Sequence, residues 1–159
     1  MKVMRARGFT LIELVITMAI IGLLATAAMP LAQLVAKREK EADLRAALRD
    51  IRTAIDTYHT AAQTGHIKQE LGASGYPPDL KSLYAGVEDA ASEKKVNLYF
   101  LRRVPRDPFF PDANVAAEDT WGLRSYQSPP DDPQPGEDVF DVYSQSGTQG
   151  LNGIPYREW

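Results

Sequence analysis

Residues 14–36 contain no Asp, Glu, Lys or Arg, and this run of 23 residues constrains the chain more than any other feature. About 20 predominantly apolar residues span the hydrocarbon core of a bilayer as a helix. Lys2, Arg5 and Arg7 precede the run. Positive flanks stay on the cytoplasmic side, so the chain beyond residue 36 is expected on the far side of the membrane. Glu13 stands at the head of the run and is the only formal charge between Phe9 and Ala36. A charge at bilayer depth costs about 2.5–3.5 kcal/mol on insertion scales, so it marks a function and a partner.

Two simpler readings compete. A secretory signal peptide has an apolar core of about 7–15 residues ending at a cleavage site. The run here is longer and passes into a helical pattern without a break in composition. A plain membrane anchor fits the length and the orientation but leaves Glu13 without a purpose.

Gly8-Phe9-Thr10-Leu11-Ile12-Glu13 resembles the processing motif of the type IV pilin and pseudopilin family. The resemblance implies that a prepilin peptidase cuts after Gly8, that Phe9 becomes an N-methylated terminus, and that Glu13 serves assembly. It also implies that Pro30 is the helix-bending proline many pilins carry. The physics of Glu13 is then simple. Cleavage creates an amino group on Phe9 that is cationic near neutral pH. Glu13 lies one helical turn away, and in a helical assembly it meets the amino group of a neighbouring subunit. Pairing offsets the cost of burying both charges, whereas a missing partner is penalised. Pro30 lacks an amide hydrogen and is expected to kink the helix or loosen one turn. Gly22 permits close helix contacts.

The periodicity predicts one helix over residues 9–62, ending near Gly65. Beyond the apolar run, Leu44, Leu48, Ile51, Ile55 and Tyr58 recur at spacings of 4, 3, 4 and 3, an apolar stripe along one face. The pairs Glu41/Arg45 and Arg52/Asp56 have i,i+4 spacing and are expected on the outer surface. A short helical turn is expected over 79–84, after Pro78. Residues 87–103 fit either a short helix or an extended segment. Strands are expected over 121–127 and 139–143, with Trp121, Tyr126 and Tyr143 as core aromatics. The layout is α+β: a long N-terminal helix packed on a small C-terminal antiparallel sheet. The expected divisions are a cleaved leader (1–8), a transmembrane and assembly helix (9–36), an amphipathic continuation (37–65) and a periplasmic globular domain (66–159).

The formal charge of the 159 residues is −3, and removing Lys2, Arg5 and Arg7 takes it to −6. An acidic chain argues against non-specific nucleic-acid binding, which needs a basic face. There is no cysteine, so an exported domain would rely on packing rather than disulfides. His59 and His66, the only histidines, have no accompanying ligand at metal spacing. Neither a nucleophile elbow nor a phosphate-binding glycine loop is present.

The second half sharpens the resemblance. Gly75-Tyr76-Pro77, Val104-Pro105-Arg106-Asp107-Pro108, Trp121-Gly122 and Phe140-Asp141-Val142-Tyr143-Ser144 are similar to segments of the major pseudopilins of type II secretion systems, with residues 109–120 intervening. That resemblance implies a structural subunit of a periplasmic pseudopilus, held in the inner membrane before assembly. Its implied partners are further copies of itself, minor pseudopilins, an inner-membrane platform protein and a secretion ATPase. It also implies a calcium site in the C-terminal loop. Here the chain departs, because Gln149 stands where an aspartate is expected and no aspartate follows. Asp138, Asp141 and Ser144 are the remaining candidates, since calcium takes six to eight oxygen ligands. A solvated acidic loop is the competing reading. The rival functions are a surface type IV pilin, a competence pseudopilin, a minor pseudopilin, and a membrane-anchored periplasmic enzyme or binding domain.

Overall fold

The computed structural model describes residues 8–159. Lys2, Arg5 and Arg7, with the rest of the expected leader before Gly8, lie outside the described residues. Two compact units divide the chain, Met1–Glu39 and Lys40–Trp159. Helix α1 covers Leu11–Gln63 and includes Pro30.

In the first unit the apolar side chains of α1 face outward. Phe9 is 83% exposed, Leu23 74% and Met29 69%. α1 is the one helix among the described residues long and apolar enough to cross a membrane. The helix is assigned continuously through Pro30, although proline has no amide hydrogen to give the carbonyl four residues back.

The second unit builds its own core. The stripe Leu44, Leu48, Ile51, Ile55 and Tyr58 is buried, together with Leu80, Leu83, Val104, Trp121, Val139, Val142 and Tyr156. Beyond α1, Gly65 takes a positive φ of 82°, a conformation glycine adopts without a Cβ penalty. Helix α2 spans Ser82–Ala85. Asp79 fixes the turn before it, accepting from the Ser82 amide at 2.8 Å and the Ser82 hydroxyl at 2.6 Å.

Within residues 87–103 the extended reading holds for a short hairpin: β1 (Val87–Glu88) pairs antiparallel with β2 (Asn97–Leu98). A second ladder joins β3 (Trp121–Arg124) to β4 (Asp141–Ser144), with Trp121 opposite Ser144 and Leu123 opposite Val142. The fold is therefore α+β with antiparallel pairing, divided between two two-stranded sheets. Gly122 leaves room for the Tyr143 ring, which a Cβ there would overlap.

Three sequence expectations are corrected. Arg52 turns inward to Asp141 rather than along the helix to Asp56. Glu41 is 4% exposed, so it does not sit on the outer surface. Tyr126 is 59% exposed and stacks on Tyr76 instead of filling the core.

Candidate functional site

The helix start is built by Thr10. Its carbonyl accepts the first helical bond, from the Leu14 amide at 3.1 Å, and its hydroxyl oxygen accepts from the Glu13 amide at 3.3 Å. Thr10 is thus the N-cap, and Glu13 is the third helical residue. The spacing Thr-x-x-Glu is that of a capping box, a signal present in the sequence that accounts for why α1 starts at Leu11. A carboxylate in the first turn also faces the positive end of the helix dipole. Glu13 itself is exposed and has no ion-pair partner among the described residues. The cap explains the helix start, and it leaves the carboxylate group available.

Gly8 is exposed in open space, with nothing within 4 Å of a Cβ placed on it. Phe9 follows, also exposed. Among the described residues nothing crowds the bond between them. Pro30 lies well along the same helix.

The calcium candidates do not converge. Asp138 Oδ1 accepts from the Tyr126 amide at 2.8 Å. Asp141 Oδ1 accepts from Arg52 Nε at 2.8 Å and from its neighbour's amide on Val142 at 2.8 Å. The Ser144 hydroxyl donates to Asp107 Oδ2 at 2.6 Å, within a buried pair. No group of three or more His, Cys, Asp or Glu among the described residues is arranged to hold a metal ion. A guanidinium against Asp141 opposes a cation at the same oxygen, so these residues do not fit a calcium site.

A different device holds the C-terminal loop. Glu41 Oε1 accepts from the Leu151 amide at 2.7 Å and from the Tyr156 hydroxyl at 2.9 Å. Arg52 Nη2 donates to the main-chain oxygens of Val142, at 3.2 Å, and Trp159, at 2.8 Å. The Arg45 guanidinium lies 4.2 Å from the Trp159 ring, close enough for a cation–π contact. Tyr156 stacks on Phe109 with ring centres 4.1 Å apart. Burial, then the hydrogen bond to Glu41, pushes the Tyr156 phenol up to about 12. Three charged residues of α1, Glu41, Arg45 and Arg52, thus hold the final segment where the family resemblance implies a metal.

Each histidine contacts a neighbouring side chain. His66 Nδ1 lies 2.9 Å from Asp89 Oδ1, and this hydrogen bond, ahead of the one from the Ala91 amide, holds the Asp89 carboxyl below its ordinary value. His59 lies flat on Tyr76, with ring centres 4.1 Å apart.

A family model described as the prokaryotic N-terminal methylation motif matches residues 3–29. The match covers Gly8, Phe9, Thr10 and Glu13, and it supports a type IV pilin-like or pseudopilin precursor processed by a prepilin peptidase for filament assembly. Members of this motif family are structural rather than catalytic proteins. No curated protein and no solved structure matches the chain. The motif and the single apolar helix are consistent with an inner-membrane-anchored protein.

Proposed function

We propose that the chain is a filament subunit, and specifically a pseudopilin of a type II secretion system. It is cut after Gly8, methylated on Phe9 and polymerised through residues 9–36. The leader is residues 1–8, and the globular part, lying in the periplasm, follows residue 65. The observation that carries the reading is the processing motif set on an apolar arm whose described side chains are mostly exposed, Phe9, Leu23 and Met29 among them. Burying that surface yields about 25 cal/mol per Å², and either a bilayer or the arms of other copies can supply the burial. Glu13 fits the same scheme, because its carboxylate is free to meet the amino group of Phe9 on an adjacent subunit. Pro30 adjusts the helix within the packed bundle of arms. The partners are a prepilin peptidase, further copies, minor pseudopilins, an assembly platform and a secretion ATPase. The segments Gly75-Tyr76-Pro77 and Trp121-Gly122 favour secretion over adhesion, motility or DNA uptake.

The mass of the protein recovered from membranes tests this reading together with its sedimentation. The expected product lacks residues 1–8, carries one added methyl on Phe9 and pellets as filaments after shearing. A chain that keeps residues 1–8, or a processed chain that never pellets with filaments, contradicts it.

A further inference from the structure

The globular unit carries two exposed patches of opposite charge. The first is a groove of about 980 Å³ whose walls include Tyr58, Tyr76, Glu70, Glu137 and Asp138, with Lys68 as the one cation among its lining residues. Leu71 is fully exposed at its rim. Tyr76 extends an aromatic ladder from His59 to the exposed Tyr126, with ring centres 5.6 Å apart in the second step. The segment 125–138 beside it holds Asp131, Asp132, Glu137 and Asp138 and no Lys or Arg. None of these four carboxylates has an ion-pair partner among the described residues.

The second patch is the segment 94–103. Lys94, Arg102 and Arg103 are exposed and form no ion pair among the described residues. Lys95 reaches Glu88 only at 4.0 Å, with both side chains largely exposed, a contact worth little in water. Val96 and Tyr99 are 51% and 64% exposed beside these cations. No residue of 94–103 lines the groove, so the patch does not satisfy the acidic wall of its own chain.

We infer that the basic segment 94–103 of one copy docks on the acidic, aromatic groove of the next copy. Resting on the filament reading above, this adds a contact between globular units to the contact between arms. Both halves combine apolar or aromatic area with charge, and aromatic and arginine side chains dominate well-packed interfaces. Opposite charge sets register and rejects wrong alignments. Two different patches on one chain form a head-to-tail contact, which propagates into an open helical polymer when the rotation does not close. A self-complementary patch would give closed dimers instead.

The chain has no cysteine, which permits a clean test in the full-length protein. Val96→Cys and Gln127→Cys are introduced together and oxidised in membranes that contain sheared or intact filaments. The inference predicts a ladder of disulfide-linked oligomers from the double variant and none from either single variant. Arg102→Glu with Arg103→Glu should weaken the ladder by about tenfold or more, as reversed charges repel. Asp131→Lys with Glu137→Lys, at two exposed carboxylates, should restore it. Filaments seen by electron microscopy without a ladder would overturn the inference and leave the filament reading standing. A ladder indifferent to charge reversal would also overturn it. Absence of filaments from the unmodified chain would remove the filament reading and this contact with it.

Discussion

Leu31 and Leu44 lie on the same helix, yet Leu31 is 62% exposed and Leu44 is fully buried. The residues around Leu31 are apolar on every side. Those around Leu44 are apolar on one face and charged on the other. A stripe of limited width can be covered by loops and strands of the same chain, and here Trp121, Val139 and Val142 join that cover. A helix apolar all round needs a solvent that is itself apolar, or other helices. One backbone geometry therefore serves two ends. The globular unit builds a core of its own, whereas the arm presents apolar side chains on every face, as the proposed membrane and filament partners require.

Removing a core side chain is the strongest way to probe the self-sufficient region. Ile51→Ala should destabilise the globular unit by about 2–5 kcal/mol, read from denaturant unfolding, while cleavage of the leader proceeds as before. If processing fails together with stability, the two regions are not independent. Glu41→Ala is expected to cost less, about 1–3 kcal/mol, by removing the carboxylate that accepts from the Leu151 amide and the Tyr156 hydroxyl. Limited proteolysis should then cut preferentially within residues 145–159. Unchanged proteolysis would mean that the aromatic contacts of Tyr156 and Trp159 hold the segment unaided.

Alkaline titration gives a smaller effect with a definite sign. Tyr156 has a phenol pushed up to about 12 from an ordinary 10.0, so the folded state favours the protonated form. Its contribution is fully present below pH 10 and is lost as the pH rises from 10 to 12. Tyr156→Phe should show a shallower loss of stability across that window than the unmodified chain. Equal slopes would remove the Glu41–Tyr156 bond from the account. The smallest expected effect is none at all: adding a chelator or calcium should leave the thermal midpoint of the globular unit unchanged. A rise with calcium would show that Asp141 exchanges Arg52 for the metal.

Most of the arm and the stripe was legible because their signals are local. Apolar spacing of 3 and 4 along residues 44–58 states which face is buried, and a charge-free run states its own requirement for an apolar surrounding. The Thr10-x-x-Glu13 cap is an equally local signal, but apolar periodicity does not reveal it and it emerged from the hydrogen bonds of the helix start. The pinning of the C-terminal loop was not legible. Arg52 and Asp56 stand at ideal helical spacing, yet the acceptor that wins is Asp141, 89 positions away. Local spacing carries no information about a carboxylate that tertiary packing brings alongside. Glu41 reads as a surface residue for the same reason, since its partners Leu151 and Tyr156 arrive only when the loop folds back. The two-residue strands β1 and β2 are too short to show any alternation. The start of β4 moved from Val139 to Asp141 because the Val139 amide is taken by the Pro77 carbonyl at 2.8 Å.

Glu13 tests the division between the two regions most directly, because it belongs to the arm and lies outside the core. Glu13→Ala should leave cleavage after Gly8 and the unfolding midpoint of the globular unit unchanged, while sheared filaments are lost or severely reduced. Normal filaments from that variant would contradict the account.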